Sequence, residues 1–430
     1  MKYELNSGIF VTEDTREAGE SVYFLKTKLN ERYLDNLDSN IKILEPKDVI
    51  DAWGLDELRV VGITGTNGKT TTAAAIYSIL TDLNEIAALQ GTRGFFVDDK
   101  QVEPKSLTTP TLLQTLHNMK VAKAKGAKYF IMEVSSHAID QDRIEGIDFS
   151  LKVFTNLTQD HLDYHKSMQE YARVKSLFFM DDSLKLLNKD EIKKIDFNPT
   201  KAYTYSLDEP SSFKVEAFSL NNGITAAINH LGEIATFKSS LVGLFNVYNL
   251  TAAVASVKLL TQKPFQEICD VVEYFGGVSG RMEVVSREPL IIVDFAHTPD
   301  GMMKVLDSIK DRDIVVVFGA GGDRDKDKRA KMGLAAARYA KKIYITSDNP
   351  RSENPEDIIE DIAKPIAQKD GVVKIVDREE AIKRAIDELN NNEVLLILGK
   401  GDEDYIEING EKIPYSDKEV VRRYLNILST

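Results

Sequence analysis

The sequence predicts an α/β protein with two doubly wound blocks along the chain. Short apolar runs of the length of buried strands alternate with segments in which apolar residues recur at helical spacing. Gly276-Gly277 separates the two blocks. Because 430 residues exceed the size of one ordinary hydrophobic core, we expect two or three domains.

The first predicted elements lead into a glycine-rich turn. Residues 21–25 form a strand candidate, and a polar stretch rich in Asn, Asp and Lys follows them. Residues 59–63 form the next strand candidate. Ala and Leu then recur at helical spacing over residues 70–83, behind a turn of Thr, Gly and Asn. The pattern predicts a strand, a loop and a helix in that order.

The rest of the first block repeats this alternation, which is typical of a parallel sheet covered on both faces. Within the more polar segment 183–240, residues 213–220 and 224–228 instead alternate between polar and apolar, which predicts an antiparallel excursion. The remaining candidates are strands at residues 129–132 and 151–154 and helices at residues 111–125 and 169–179.

The second block follows Gly277 and predicts another doubly wound domain, because strand candidates again alternate with amphipathic segments. Its predicted strands are residues 290–295, 314–318, 342–346, 372–376 and 394–398, and its predicted helices include residues 355–366 and 379–390.

Composition excludes several classes of protein. The formal net charge of −13 argues against a general nucleic-acid binder, because phosphate contact needs clustered Lys and Arg. The start of the chain lacks a secretory leader pattern and no run of 18 apolar residues occurs, so we expect a cytoplasmic protein without a membrane span. Cys269 is the only cysteine, which excludes an intrachain disulfide and favours a buried apolar role for it.

A glycine-rich segment between the second strand and the helix indicates phosphate binding. Gly62-Ile-Thr-Gly-Thr-Asn-Gly-Lys-Thr70 would turn backbone N–H groups toward phosphate oxygens at the start of a helix. Lys69 would reach the β- and γ-phosphates, and the Thr70 hydroxyl would contact Mg²⁺. An incidental loop is the alternative. Phosphate binding alone does not separate kinases, ATPases, GTPases and ligases.

Further motifs resemble, in order and spacing, those of the Mur ligase family. They span most of residues 60–400 and are Thr64-Gly-Thr-Asn-Gly-Lys-Thr-Thr71, Glu133-Val-Ser-Ser-His137, Thr155-Asn-Leu-Thr-Gln-Asp-His-Leu-Asp163, Gly243-Leu-Phe-Asn246, Gly280-Arg281, Asp294-Phe-Ala-His-Thr-Pro-Asp300, Gly321-Gly-Asp-Arg-Asp-Lys-Asp-Lys-Arg329 and Ser347-Asp-Asn-Pro-Arg351. The resemblance implies a three-domain architecture with a central P-loop ATPase domain and a C-terminal doubly wound, Rossmann-like domain. The implied domains are a short UDP-binding domain at residues 1–48, an ATP-binding domain at residues 49–280 and an amino-acid-binding domain at residues 281–430.

The same resemblance implies the reaction. Members of the family with these motifs use ATP to phosphorylate the D-Glu carboxylate of UDP-N-acetylmuramoyl-L-Ala-D-Glu, and the amine of a diamino acid attacks the acyl phosphate. We therefore expect an ATP-dependent peptide ligase of peptidoglycan synthesis that adds meso-diaminopimelate, acts as a monomer and binds neither nucleic acid nor membrane. The alternatives are the same ligase with L-lysine, a ligase similar to folylpolyglutamate synthase, and a nucleotide-binding ATPase that does not ligate.

The resemblance also implies the catalytic and nucleotide-binding residues. Lys69 and Thr70 would hold phosphates and one Mg²⁺, while Glu133 and His161 would bind a second Mg²⁺. Lys175 matches a lysine that carries a carbamate, which turns a cation into an anion able to bind Mg²⁺. Structural roles for Glu133 and His161, and a place on a helix surface for Lys175, are the alternatives. The other implied ATP contacts are Gly65, Thr66, Asn67, Gly68, Thr71, Asn246, Arg281 and Asp294.

Two further groups of residues match substrate contacts of the family. Arg351 would pair with the distal carboxylate of meso-diaminopimelate, which lysine lacks, and Glu403 would receive the distal ammonium. A helix cap or an ion pair with Glu353 is the alternative for Arg351. The diaminopimelate set also contains Arg324, Asp348, Asn349, Pro350 and Gly399. The set for the UDP-N-acetylmuramoyl-dipeptide is Thr15, Thr108, Thr109, Ser135, Gln141 and Arg143.

The chain departs from the family pattern in two places. The N-terminal region is shorter than the family's UDP-binding domain, and only residues 14–16 and 22–25 resemble its start. UDP contacts beyond Thr15 therefore have no sequence assignment. In Gly399-Lys-Gly-Asp-Glu-Asp-Tyr405 the family's usual histidine is replaced by Asp402, which changes the charge beside Glu403.

Overall fold

The structure is a computed structural model that describes residues 1–98, 100–104, 107–221, 223–310 and 312–426. It divides into two compact units. The first contains Met1–Ser240 and Asn246–Phe275, and the second contains Leu241–Phe245 and Gly276–Thr430. The finer division into domains at residues 48 and 280 stays a prediction.

A small N-terminal sheet opens the first unit. Its strands are β1 (Lys2–Asn6), β2 (Ile9–Thr12), β3 (Val22–Leu25) and β4 (Ile43–Leu44), which pair in chain order. Helix α1 (Pro46–Trp53) follows; a proline at its first position and a capping box begin it, and Gly54 ends it with φ of 62°. Trp53 Nε1 donates to Leu5 O at 3.1 Å, which anchors α1 on β1.

A large central sheet forms the rest of the first unit. Its strands are β5 (Arg59–Thr64), β6 (Ala87–Gly91), β7 (Gly94–Val97), β8 (Lys100–Glu103), β9 (Tyr129–Glu133), β10 (Phe149–Phe154), β11 (Lys185–Asn188), β12 (Ala202–Ser206), β13 (Phe213–Ser219), β14 (Ile224–His230) and β15 (Glu233–Ser239). Their order is β15-β14-β13-β12-β11-β10-β5-β9-β6-β7-β8. β5 is parallel to both β9 and β10, so the carboxyl ends of three strands meet at one edge of the sheet.

The antiparallel excursion is confirmed only for its second half. β13, β14 and β15 pair antiparallel, but β11 and β12 pair parallel to their neighbours. The prediction is therefore wrong for residues 183–212. Every residue of β11 is buried, which suits a parallel strand covered on both faces.

The predicted helices of this part of the chain are confirmed at 69–82, 112–124 and 168–177. Several helices begin at a side chain that accepts a backbone N–H; α3 (Leu112–Ala124) starts this way at Thr111 and α6 (Met168–Leu177) at Ser167. The helices are α2 (Lys69–Asp82), α3 (Leu112–Ala124), α4 (Ser136–Asp140), α5 (Leu162–His165), α6 (Met168–Leu177), α7 (Leu244–Leu260) and α8 (Phe265–Asp270).

The second unit contains a six-stranded sheet with helices on both faces. Its strands are β16 (Glu283–Arg287), β17 (Leu290–Asp294), β18 (Asp313–Phe318), β19 (Ala340–Ile345), β20 (Val372–Lys374) and β21 (Glu393–Leu398), in the order β16-β17-β21-β18-β19-β20. Its helices are α9 (Pro299–Asp307), α10 (Asp327–Tyr339), α11 (Pro355–Ala363), α12 (Arg378–Asp387) and α13 (Asp417–Tyr424). Strands β22 (Tyr405–Ile408) and β23 (Glu411–Pro414) form a separate hairpin.

Alternate strand residues of this sheet belong to two apolar cores. Val316 and Phe318 pack with residues of α9, α10 and α11, whereas Val315 and Val317 pack with residues of α12 and α13. All strand pairs are parallel except β16 with β17. The predicted doubly wound fold is therefore confirmed. In the part of the chain that the structure describes, no helix is both long enough and apolar enough to cross a membrane.

Candidate active site

The conformation of the predicted phosphate loop, between β5 and α2, depends on two glycines. Gly65 and Gly68 have φ of 154° and 85°, where glycine is favoured. A side-chain carbon at Gly65 would collide with the Thr155 hydroxyl, and one at Gly68 would collide with the side-chain oxygen of Asn249. Both glycines are therefore needed for the loop to pass this close to its neighbours.

The segment after β10 fixes the phosphate loop. Asn67 N donates to Asn156 Oδ1 at 3.0 Å, while Thr155 Oγ1 and Asn156 Nδ2 donate to Asn67 O at 2.7 and 3.0 Å. Lys69 Nζ donates to two carbonyl oxygens of its own loop at 2.8 and 3.0 Å. The ammonium therefore lies over the loop, at the beginning of a helix, where anions bind readily. Thr71 is buried in the first turn of that helix.

Thr70 and Glu133 meet at the carboxyl edge of the central sheet. Thr70 Oγ1 donates to Glu133 Oε2 at 2.8 Å, and Thr92 N donates to Glu133 Oε1 at 2.9 Å. Glu133 is 2% exposed, and a side-chain carbon on Gly91 would collide with its carboxylate. The carboxylate next to the phosphate loop is therefore buried and oriented from two sides.

Lys175 is buried under the phosphate loop. Its Nζ donates to Thr64 Oγ1 at 3.2 Å and to Gly65 O at 3.1 Å, and it lies 5.0 Å from the centroid of the Tyr171 ring. Burial, together with the nearby charge of Lys69, holds the pKa of Lys175 well below its usual range. Lys175 is 1% exposed, so the alternative of a helix-surface lysine is wrong.

His161 lies beside a second histidine. The backbone of His161 has φ of 53°, and its backbone N–H donates to Asp160 Oδ1 at 2.9 Å. The rings of His161 and His137 have centroids 5.0 Å apart. Burial lowers the pKa of His161 to about 4, although Asp160 acts in the opposite direction. The ring is therefore neutral near pH 7 and able to donate a lone pair to a cation.

Asn246 is connected to the phosphate loop through a neighbour on α7. Asn249 Nδ2 donates to Asn246 Oδ1 at 3.0 Å, and Asn249 Oδ1 packs on Gly68. Thr66 lies on the other side of the loop, with its hydroxyl 3.2 Å from the Tyr171 hydroxyl. The loop is therefore held by side chains distant in sequence.

The remaining predicted nucleotide residues, Arg281 and Asp294, lie in the second unit. Asp294 ends β17, and its carboxylate accepts the N–H groups of Met282 and Ala296, each at 2.7 Å. Burial raises the pKa of Asp294. The Arg281 guanidinium lies 4.4 Å from the centroid of the Phe295 ring. The roles of Arg281 and Asp294 in ATP binding stay predictions.

Five residues predicted to bind the muramoyl-dipeptide cluster in the first unit. Thr109 Oγ1 accepts the N–H of Ser135 at 2.9 Å, and Thr108 precedes Thr109 in the chain. Arg143 Nη1 donates to Thr109 O at 2.8 Å, and its Nε donates to Gln141 Oε1 at 2.9 Å. The structure therefore brings together five of the six residues predicted for this substrate.

Thr15, the sixth residue predicted to bind the muramoyl-dipeptide, lines a cavity of about 660 Å³ in the first unit. Glu13, Arg16, Tyr33 and Thr111 are among the other residues that line it. Leu113 N donates to Glu13 Oε1 at 2.8 Å. Burial raises the pKa of Glu13. A volume of this size is typical of sites for small ligands.

Residues predicted to bind the amino acid form one network in the second unit. Asn349 Nδ2 donates to Glu403 Oε2 at 3.0 Å. Lys400 Nζ donates to Asn349 Oδ1 at 3.0 Å and to Glu403 Oε2 at 3.2 Å. A side-chain carbon at Gly399, which has φ of 113°, would lie 2.5 Å from an oxygen of Asp348. The loops after β19 and β21 are therefore fitted to one another.

Arg351 does not have the partner that the sequence suggested as an alternative. Its Nε donates to Glu407 Oε2 at 3.1 Å and its Nη1 donates to Gly322 O at 2.8 Å. Glu353 instead accepts from Arg329 Nη2 at 2.8 Å. The alternative of an Arg351–Glu353 ion pair is therefore wrong.

Pro350 and Arg324 complete the predicted amino-acid set. The Pro350 carbonyl packs against a neighbouring glycine, and Arg324 is exposed in the loop before α10. Arg329 is 1% exposed and donates to the carboxylates of Glu353 and Asp361 at 3.0 and 2.9 Å. Arg329 therefore connects α10 with α11 beneath this loop.

Comparison with known proteins agrees with this geometry. The Mur ligase middle domain matches residues 63–257, and the Mur ligase glutamate ligase domain matches residues 280–401. The chain is 53% identical to the UDP-N-acetylmuramoyl-L-alanyl-D-glutamate–2,6-diaminopimelate ligase of Wolinella succinogenes, over 96% of the chain and 95% of that protein. The chain belongs to the Mur ligase family. This Mur ligase is also 48% identical to the Helicobacter pylori protein of that name, over 99% of the chain and 97% of that protein.

Solved structures confirm the three-domain α/β architecture of the Mur ligase. A UDP-N-acetylmuramoyl-L-alanyl-D-glutamate–2,6-diaminopimelate ligase has a TM-score of 0.69 at 29% identity, over 97% of this chain and 94% of that chain. Folylpolyglutamate synthase of Mycobacterium tuberculosis, complexed with ADP, has a TM-score of 0.68 at 18% identity, over 82% of this chain and 91% of that chain. The second likeness shows a shared fold alone.

Sequence reasoning missed several residues that shape the site of this Mur ligase. Thr92 contacts Glu133, and Asn249 contacts Gly68, although the residues of each pair are far apart in the chain. Lys400 has no role in the sequence prediction, although it is fully buried and pairs with Glu403, a predicted amino-acid contact, at 3.2 Å. No local pattern marks Thr92. The sequence signal that could have marked Lys400 is its position between two glycines, Gly399 and Gly401.

Proposed function

We propose that this Mur ligase uses ATP to join meso-diaminopimelate to the D-Glu carboxylate of UDP-N-acetylmuramoyl-L-Ala-D-Glu, in peptidoglycan synthesis. The observation that carries the proposal is similarity over almost the whole chain to proteins named as ligases of this kind, at 53% and 48% identity. The local geometry supports it, because a phosphate loop beside a buried carboxylate and an arginine-containing loop both occur in the chain.

The chemistry must turn a poor electrophile into a good one. ATP phosphorylates the D-Glu carboxylate, and the resulting acyl phosphate has a good leaving group. The amine of diaminopimelate attacks the carbonyl carbon, a tetrahedral intermediate forms, and phosphate leaves with the oxygen that joined it to carbon. Lys69 and the N–H groups of the phosphate loop stabilise negative charge on the transferred phosphoryl group.

The residues at the phosphate loop fit Mg²⁺. The Thr70 hydroxyl and the Glu133 carboxylate are 2.8 Å apart, and both are hard oxygen ligands of the kind that Mg²⁺ takes. Bound Mg²⁺ would neutralise charge on the phosphates. In the described ranges, no cluster of three or more His, Cys, Asp and Glu side chains could hold a metal ion. Glu133 and His161 are only two ligands, so a second Mg²⁺ there would have room for a further anionic ligand.

A carbamate on Lys175 would supply that ligand. Only a neutral amine reacts with CO₂, and burial, with the charge of Lys69, lowers the pKa of Lys175 and favours the neutral form. The product carries a negative charge, which a cation near Glu133 would balance. The buried position of Lys175 under the phosphate loop thus favours modification over a free ammonium beside Mg²⁺.

Removing CO₂ is expected to lower kcat about ten-fold, because the loss of an anionic group weakens binding of a metal ion. Phosphate release is measured in sealed, CO₂-depleted buffer, with and without added bicarbonate, and equimolar NaCl serves as the control. Bicarbonate should restore the rate, and ¹³C-bicarbonate should give a carbamate signal by NMR. Equal rates in both buffers, with no carbamate signal, would contradict the modification.

The substrates are assigned to separate places on the chain. The UDP moiety is assigned to the 660 Å³ cavity, where the Thr15 hydroxyl can donate a hydrogen bond and the Tyr33 ring offers a face to a base. The distal carboxylate of diaminopimelate is assigned to Arg351, whose planar guanidinium matches a carboxylate. Glu403 receives the distal ammonium.

The experiment that tests this function offers the protein ATP, Mg²⁺ and UDP-N-acetylmuramoyl-L-Ala-D-Glu with meso-diaminopimelate, L-lysine or no amino acid. Phosphate release and the mass of the product are recorded, and a further arm offers a reduced folate with L-glutamate. A tripeptide product with diaminopimelate alone is expected. A lysine product would overturn the selectivity, a folate product would favour the alternative ligase, and phosphate release without any product would indicate an ATPase.

A further inference from the structure

The guanidinium of Arg351 is held on two sides. Glu407 Oε2 accepts from Nε at 3.1 Å and Gly322 O accepts from Nη1 at 2.8 Å. Among the residues that the structure describes, Nη2 has no protein acceptor. Two contacts on different nitrogens fix the plane of the group, since a guanidinium is rigid and planar. The two N–H groups of Nη2 are thereby presented for a ligand.

Glu407 is itself held independently of its carboxylate. Glu407 N donates to Asn349 Oδ1 at 2.9 Å, and Arg351 N donates to Glu407 O at 3.0 Å. Asn409 N donates to Arg351 O at 2.8 Å, so the β22–β23 hairpin clasps the backbone of Arg351 from both sides. Arg351 has φ of 51°, a conformation that this clasp maintains.

We propose that Glu407 is a positioning residue that sets selectivity for an amino acid with a distal carboxylate, an inference that rests on the proposed function. An arginine side chain that is already ordered loses less conformational freedom when it binds a carboxylate. Glu407 and Gly322 O order the guanidinium before the ligand arrives. The backbone hydrogen bonds between Arg351 and the hairpin do not involve the guanidinium, so the carboxylate of Glu407 orders the guanidinium separately.

Two substitutions separate geometry from charge. Glu407→Gln keeps an oxygen that can accept from Arg351 Nε and removes the negative charge, whereas Glu407→Ala removes both. Both variants keep the backbone hydrogen bonds to Asn349 and Arg351. Glu411→Ala is the matched control, since Glu411 is exposed on the other strand of the same hairpin.

The experiment measures KM and kcat for meso-diaminopimelate and for L-lysine with the wild-type protein and the three variants. Glu407→Ala should raise KM for diaminopimelate about five- to ten-fold with kcat nearly unchanged. Glu407→Gln and Glu411→Ala should stay within about two-fold of wild type. KM for any lysine turnover should not change, because lysine has no distal carboxylate for Arg351 to bind.

Three results would overturn the inference. An unchanged or lower KM for diaminopimelate in Glu407→Ala would mean that Glu407 is irrelevant or competes with the ligand. A Gln variant as weak as the Ala variant would mean that charge matters and the acceptor does not. An equal loss with both amino acids would indicate general damage to the hairpin. Failure of the wild-type protein to add diaminopimelate would instead overturn the proposed function.

Discussion

Replacing Glu133 with Gln is expected to lower kcat about a thousand-fold. Gln has the same shape and can keep the hydrogen bond from Thr92 N, which is 2.9 Å long in the native chain. Its amide carries no charge, however, and Glu133 is the buried carboxylate to which Thr70 donates at 2.8 Å. A neutral side chain there binds Mg²⁺ poorly and leaves charge on the phosphates unbalanced.

Phosphate release and product formation across a range of Mg²⁺ concentrations measure this effect. Glu85→Gln is the matched control, because Glu85 precedes β6 near the opposite edge of the same sheet, where its carboxylate pairs with Lys128 at 2.9 Å. The control should retain nearly full activity, and circular dichroism should be unchanged in both variants. A Glu133→Gln protein with kcat within about ten-fold of wild type would contradict the role of Glu133.

Replacing Asp417 with Asn is expected to lower the free energy of unfolding by about 3–5 kcal/mol. Asp417 and Arg378 are both fully buried, and Arg378 Nε and Nη2 each donate to the carboxylate at 2.8 Å. Removing the negative charge leaves the buried arginine without its ion-pair partner. Arg378 also donates to Ser347 O at 3.2 Å and to Leu398 O at 2.9 Å, directly before Asp348 and Gly399.

Denaturant unfolding, followed by far-UV circular dichroism, measures the loss of stability. Glu419→Gln is the matched control because Glu419 lies in the first turn of the same helix, and its ion pair with Arg422 is exposed, with a distance of 3.0 Å. Exposed pairs of this kind contribute about 0.2–1 kcal/mol, so the control should be nearly as stable as wild type. Equal stability of the two variants would show that the buried pair contributes little.

Local sequence patterns predicted most of the fold. The run from Val60 to Ile63 is apolar, the following turn contains two glycines, and Ala and Leu then recur at helical spacing, so strand, loop and helix can be assigned without distant information. The wrong prediction, antiparallel pairing of residues 183–212, also came from a local sequence pattern. Residues 183–212 are polar enough to suggest antiparallel pairing, but burial of β11 by the surrounding unit decided the outcome.

Contacts between distant residues could not be predicted in this way. Arg351 and Glu407 are separated by 56 positions, and nothing around Glu407 distinguishes it from other acidic residues of a hairpin. The contact of Asn249 with Gly68 likewise depends on how α7 packs on the phosphate loop. Motifs identified which residues carry the chemistry, whereas tertiary packing determines what orients them.

The transfer of oxygen from substrate to phosphate tests the central claim most directly. UDP-N-acetylmuramoyl-L-Ala-D-Glu labelled with oxygen-18 in the reacting carboxylate is incubated with ATP, Mg²⁺ and meso-diaminopimelate, and the released phosphate is analysed by mass spectrometry. An acyl phosphate requires a carboxylate oxygen to leave with phosphorus, so the account predicts one labelled oxygen in each phosphate formed with product. Unlabelled phosphate alongside the tripeptide product would contradict activation through an acyl phosphate.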